Sequence, residues 1–104
     1  MFTFIELSSF EAVRDKYLDD DELAQLQWHL AAHTDAGDVI PGSGGCRKIR
    51  WALKGRGKCS GARVICFLRL LSGQIVLVTM YGKNVRENVD PALLRRLKER
   101  FENG

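Results

Sequence analysis

The chain has 104 residues, enough for one domain with a modest core and little surface to spare for a second site. Its hydrophobic share of 45% excludes a disordered chain. No apolar run approaches the roughly 18 residues of a membrane helix.

The formal net charge of +3 conceals a segregation. Residues 39–86 hold ten bases and no acid: Arg47, Lys48, Arg50, Lys54, Arg56, Lys58, Arg63, Arg69, Lys83 and Arg86. The flanks hold all 13 acids and only six bases. A basic centre between acidic flanks points to a polyanion-binding face on a domain kept soluble by its other surfaces. The stretch Met1–Leu7 has no basic region and is too short for a signal peptide, so a cytosolic setting is expected. Cys46, Cys59 and Cys66 are odd in number and irregularly spaced. That suits free thiols in a reducing compartment and neither a disulfide frame nor a CxxC zinc pair. Cys66, inside an apolar run, is expected in the core.

In chain order, residues 2–7 read as a short strand of aromatic and β-branched types. Ser8 or Ser9 can cap a helix reaching Tyr17, with Phe10, Val13 and Tyr17 at helical spacing. Asp19, Asp20, Asp21 and Glu22 supply a cap and complement the dipole of a second helix. That helix aligns Leu23, Leu26, Gln27 and Leu30 and stops near Gly37. Residues 41–45 (Pro-Gly-Ser-Gly-Gly) form a loop. Arg47–Leu53 alternates, with Ile49, Trp51 and Leu53 on one side and Lys48 and Arg50 on the other, as a half-buried strand does. Lys54–Gly61 is a glycine-rich turn. Ala62–Leu71 and Gln74–Tyr81 are apolar strands joined at Ser72-Gly73. Short links between these three strands predict an antiparallel meander. Asp90-Pro91 opens the last helix, whose stripe is Leu93, Leu94, Leu97 and Phe101, with Arg95, Arg96, Lys98 and Arg100 towards water. The expected class is α+β: one small domain over residues 1–104, an antiparallel sheet with helices packed on one face and the other face free to bind.

Three constellations could carry chemistry. The first is the basic turn and its strands: Arg47, Lys48, Arg50, Lys54, Arg56, Lys58 and Arg63. Gly55, Gly57 and Gly61 let backbone amides approach a phosphate, Arg offers a planar fork, and Lys a mobile point charge. It is not a Walker A loop, because Gly57-Lys58 is followed by Cys59 and no helix follows. The second is Tyr81-Gly82-Lys83-Asn84, where Tyr81 could stack on a base and Lys83 could contact phosphate. The third is His29 and His33, four apart on the second helix. That spacing can hold zinc, but Leu30 stands where a metalloprotease has Glu, and no carboxylate or Cys cluster completes a site, so surface or partly buried histidines are expected.

Residues 39–86 also lack Asp, Glu and His. That leaves no carboxylate pair, no His base and no carboxylate-held magnesium on the basic stretch. A lysine crowded by arginines gives up its proton more readily and could act as base or acid. The chemistry open to such a face is attack of an RNA 2′-hydroxyl on the adjacent phosphate, with arginines stabilising the phosphorane.

Asp38-Val39-Ile40-Pro41-Gly42-Ser43-Gly44-Gly45 followed by Arg47-Lys48-Ile49-Arg50-Trp51 resembles the HigB branch of the RelE toxin superfamily. So do Gly55-Arg56-Gly57-Lys58, Gly61-Ala62-Arg63-Val64-Ile65 and Tyr81-Gly82-Lys83-Asn84, in the family's order and approximate spacing over roughly residues 19–102. The resemblance implies a RelE-like fold and a toxin of a type II toxin–antitoxin system that cleaves mRNA in the ribosomal A site without a cofactor or metal. It also implies a helix-turn-helix antitoxin, with operator DNA bound only through that complex, and no membrane association. By motif, Arg63 would stabilise the phosphate. Arg56 and Lys58 would contact it or share in proton transfer, and Lys83 is a further acid–base candidate. Arg47, Lys48, Arg50, Lys54 and Tyr81 would hold RNA. Some relatives carry a tyrosine near the C-terminus, where this final helix offers only Phe101. Two other readings compete: a ParE-like gyrase inhibitor sharing the fold, and a non-catalytic RNA- or ribosome-binding module.

Overall fold

The computed structural model describes residues 2–53, 61–83 and 89–103. The meander forms as expected. Strand β3 (Arg47–Ala52) pairs antiparallel with β4 (Gly61–Arg69), and β4 with β5 (Gln74–Gly82). A two-residue strand, β2 (Asp38–Val39), adds to the outer side of β3. The N-terminal strand β1 (Thr3–Glu6) lies against β5 in parallel, giving the sheet order β1-β5-β4-β3-β2. The α+β class is thus realised with a mixed sheet, its one parallel pair lying at the β1 edge.

Helix α1 (Ser8–Tyr17) follows β1 directly and completes the cover of β5's edge. β1 pairs only with Gln74–Leu77. Beyond that point the edge groups of β5 are satisfied by the start of α1 and its side chains. Leu7 N–H donates to the Leu77 carbonyl at 2.9 Å, the Ser9 hydroxyl donates to the Val78 carbonyl, and Gly82 N–H donates to the Tyr17 hydroxyl at 3.0 Å. Unpaired strand edges invite foreign strands, and this arrangement closes one of them. Ser9 is therefore a tether, and Leu7, with no side-chain bond, takes the N-cap position expected of Ser8 or Ser9.

Helix α2 (Asp20–Ala32) has a full capping box. The Asp19 carboxylate accepts from Glu22 N–H at 2.7 Å, and the Glu22 carboxylate accepts from Asp19 N–H at 2.9 Å. The helix ends at His33, earlier than Gly37. Gly37 has another task. At φ +75° its backbone lies so close to β3 that a Cβ would collide with the Lys48 carbonyl oxygen and stand 2.7 Å from Ile49 Cγ1.

Helix α3 (Pro91–Glu102) is capped by the Asp90 carboxylate, which accepts from Ala92 N–H at 3.0 Å. It lies on the sheet face opposite α1 and α2. Phe10, Leu23, Leu26 and Leu30 of α1 and α2 pack with Ile49, Val64, Cys66, Ile75 and Leu77. Leu94 of α3, with Leu97 and Phe101, packs instead with Cys46, Ile65, Phe67, Val76 and Val78. The helices were expected on one face, and the difference follows from β4 and β5. Both are apolar on each side, and a strand apolar on both sides needs cover on both. Each buried Leu or Phe in these layers contributes roughly 1.5–3 kcal/mol. Lys98, expected to face water, lays its ammonium 5.5 Å from the Phe67 ring centroid and pairs with Glu102 at 2.9 Å.

The loop 41–45 is held by Ser43, which is fully buried. Its hydroxyl donates to the Ile40 carbonyl at 2.6 Å and accepts from Cys46 N–H at 3.0 Å. That pins the start of β3, and with it the direction in which Lys48 and Arg50 point.

Candidate nucleic-acid interface

Directly paired residues of neighbouring strands stand on the same face, with Cβ atoms roughly 5 Å apart. Arg50 pairs with Arg63, and Arg63 pairs with Tyr81. The three side chains therefore form one row across β3, β4 and β5. One step along, Lys48 pairs with Ile65. Lys48 and Arg50 flank Ile49, which is buried against α1 and α2, so both basic residues rise on the α3 side. The row lies on the part of that face near Gly61 and Gly82, away from the Phe67 and Val76 layer that α3 covers.

Lys83 joins the row at its end. Its N–H donates to the Gly61 carbonyl at 2.9 Å, which continues the strand pairing by one residue. A Cβ built on Gly61 would lie 3.4 Å from Lys83 Cδ and 3.9 Å from Arg63 Nη1. The Lys83 and Arg63 side chains thus converge over Gly61, whose lack of a side chain leaves a shallow floor between them.

Tyr81 and Lys83 reach this face through a β-bulge. Ile65 pairs with Thr79, but the next residue, Cys66, pairs with Leu77, so Val78 is an extra residue in β5. Before the bulge, Ile75 and Leu77 face α1 and α2; after it, Met80 does. Tyr81 consequently packs with the α3-side cluster. Strict alternation from Gln74 would have placed it in the other core.

The electrostatics are one-sided. Two guanidiniums sit on paired positions, with Lys48 and Lys83 beside them. Ion pairs join Arg14 to Asp15 and Asp20, and Lys98 to Glu102, away from this row. Arg63 Nη1 donates to the Ala62 carbonyl at 3.4 Å, a long bond that leaves most of the fork's donors for another acceptor. Lys48, Arg50 and Lys83 are exposed, and Arg63 and Tyr81 are half-buried. Like charges on paired positions are a cost to the fold, and an incoming anion offsets it.

The structure thus brings together Lys48, Arg50, Arg63, Tyr81 and Lys83 of the expected set. Arg47 does not join them. It stands on the opposite face, where its guanidinium donates to the Asp35 carbonyl at 2.9 Å and the Gly37 carbonyl at 3.2 Å. Its role is to anchor the link after α2, and the alternation Ile49-Trp51 already places Arg47 on their side. Lys54, Arg56 and Lys58 lie outside the described residues, as does Asn84 of the Tyr81-Gly82-Lys83-Asn84 block.

Two cysteines are core groups and take no part in this face. Burial pushes the Cys66 thiol up to about 12 and raises that of Cys46 as well, so neither is a ready nucleophile. Among the described residues no group of three or more His, Cys, Asp or Glu is placed to hold a metal, and no helix is long and apolar enough to cross a membrane. Compared with models of known protein families, the chain matches none.

Proposed function

We propose that this protein is the toxin of a type II toxin–antitoxin pair of the RelE/HigB kind, a ribosome-dependent endoribonuclease acting on mRNA in the A site. The observation that carries the reading is the row Arg50, Arg63 and Tyr81 with Lys83 at its end, basic and aromatic together on one face. A single-stranded nucleic acid offers phosphates to the guanidiniums and bases that an aromatic ring can stack on.

The proposed reaction needs no metal, since residues 39–86 contain no carboxylate to hold one. The 2′-hydroxyl gives its proton to a base while its oxygen attacks the adjacent phosphorus. A P–O2′ bond forms, the P–O5′ bond breaks, and the leaving oxygen takes a proton. The products are a 2′,3′-cyclic phosphate and a 5′-hydroxyl. Arg63, central in the row, would hold the phosphorane's extra negative charge. Lys83, together with Arg56 and Lys58, is a candidate for the proton transfers. Arg50, Lys48 and Lys54 would grip flanking phosphates and supply the salt-dependent part of affinity. Such a toxin would work in the cytosol and be restrained by a helix-turn-helix antitoxin, through which alone it would meet operator DNA.

Primer extension on mRNA in a purified translation reaction, with wild type and Arg63→Ala side by side, tests this. Wild type should create new 3′ ends at A-site codons. The variant should cut on the order of 10²–10³ times more slowly, the loss typical of one transition-state donor, while keeping most of its ribosome binding. Loss of binding and cutting in proportion would instead indicate a binding module. A folded wild type that leaves mRNA intact and blocks gyrase supercoiling would indicate a ParE-like inhibitor.

A further inference from the structure

We propose that His29 and His33 form a two-histidine site for a divalent transition-metal ion of the nickel and zinc class, at the C-terminal end of α2 and on the opposite side of the sheet from the basic row. The two residues lie four apart, so the helix stacks them one above the other. Their ring centroids are 4.9 Å apart and the planes are tilted by 44°. A tilt of that size lets ring nitrogens of both residues turn towards one point, which coplanar, face-to-face rings could not do.

The surroundings hold the pair in place. The His29 ring stands against Trp51 of β3, with centroids 5.5 Å apart. His33 is the C-cap, and its N–H donates to the His29 carbonyl at 2.9 Å, which closes the last turn and fixes the spacing. His33 is exposed and His29 half-buried, so one ligand is anchored and the other reaches solvent. The site also lies at the negative end of the helix dipole, which favours a cation. The nearby cation, Arg47, is turned to the Asp35 and Gly37 carbonyls.

Imidazole selects borderline metals such as zinc and nickel over magnesium and calcium, which require oxygen ligands. With two protein ligands, the remaining coordination positions belong to water. The site is therefore of the exchangeable kind and not a structural zinc centre.

The test uses the full, tag-free chain carrying Trp28→Phe. Trp28 is 81% exposed, so the change is mild, and it leaves Trp51 as the sole tryptophan. Titration with NiCl2 should quench Trp51 fluorescence along a saturable single-site curve, and MgCl2 should not. His33→Gln in the same background should weaken nickel binding by about 100-fold, the usual loss when one of two linked contacts is removed. In parallel, NiCl2 should raise the melting temperature of wild type and not of His33→Gln. Non-saturable quenching, equal affinity in His33→Gln, or loss of binding in Cys59→Ser with the histidines intact would each overturn the proposal.

Discussion

Arg50 and Arg63 occupy directly paired positions of β3 and β4. Like charges so placed cost on the order of 0.2–1 kcal/mol. Because Arg50 is exposed, solvent screens the repulsion, and about 0.5 kcal/mol is the reasonable share. Arg50→Thr removes one guanidinium and introduces a β-branched residue that suits a strand. For a domain of this size about 1 kcal/mol moves Tm by roughly 4–8 °C, so the variant should melt about 2–4 °C higher than wild type. In 1 M KCl the screening length falls to about 3 Å, and most of the charge-derived gain should vanish. In the same protein, affinity for single-stranded RNA should fall, and its log–log salt slope should flatten by about 0.7, the value of one phosphate contact. Thermal melts at low and high KCl, with RNA binding measured across the same salts, give both halves. A lower Tm, or a gain that persists in full at 1 M KCl, would mean the paired guanidiniums do not repel. The argument that this face is built to receive an anion would then lose its basis.

Other expected outcomes concern the frame that holds the row. Leu26 is fully buried between α2 and the sheet, and Leu26→Ala should cost about 2–5 kcal/mol in urea unfolding. Asp19→Ala breaks the capping box of α2 and should cost about 1 kcal/mol in the same assay. The Cys66 thiol, raised by burial from 9.0 to about 12, stays protonated in the fold after an unfolded thiol has ionised. Its contribution is therefore fully present below pH 9 and lost as pH rises from there towards 12. Stability curves of wild type and Cys66→Val should diverge over that window, with wild type falling more steeply by up to about 1.4 kcal/mol per pH unit. Parallel curves would show that the thiol is not buried as described.

Much of the frame was legible because local rules decide it. Asp19 with Glu22, Asp90-Pro91, and the alternation through Ile49 and Trp51 each specify an element from within a few residues. The placement of Lys48 and Arg50 on one face, opposite Ile49, followed from that same alternation. What escaped depends on distant partners. The stripe of α3 says that it packs, but not on which face; the two-sided apolar character of β4 and β5 was the signal that both faces needed a helix. The parallel pairing of β1 with β5 leaves no local mark. Ser9 reads as a cap until the Val78 carbonyl is there to take its hydroxyl. Charge alone groups Arg47 with Lys48 and Arg50, but counting along the strand puts it on the other side, where it anchors Asp35 and Gly37.

The bulge at Val78 makes the chemistry of one face a matter of odd and even. From Gln74 to Leu77 and from Thr79 to Gly82 the strand keeps opposite parity, and one surplus residue is the whole difference. Deleting it would leave Thr79 directly after Leu77 as a plain alternating strand with Tyr81 still paired to Arg63, whereas straightening the bulge with every residue kept would send Tyr81 and Lys83 towards α1 and α2 and turn Met80 out towards the arginines. A chain one residue shorter at this point would therefore keep the row without the bulge, whereas a chain of the same length with a straight β5 would lose it.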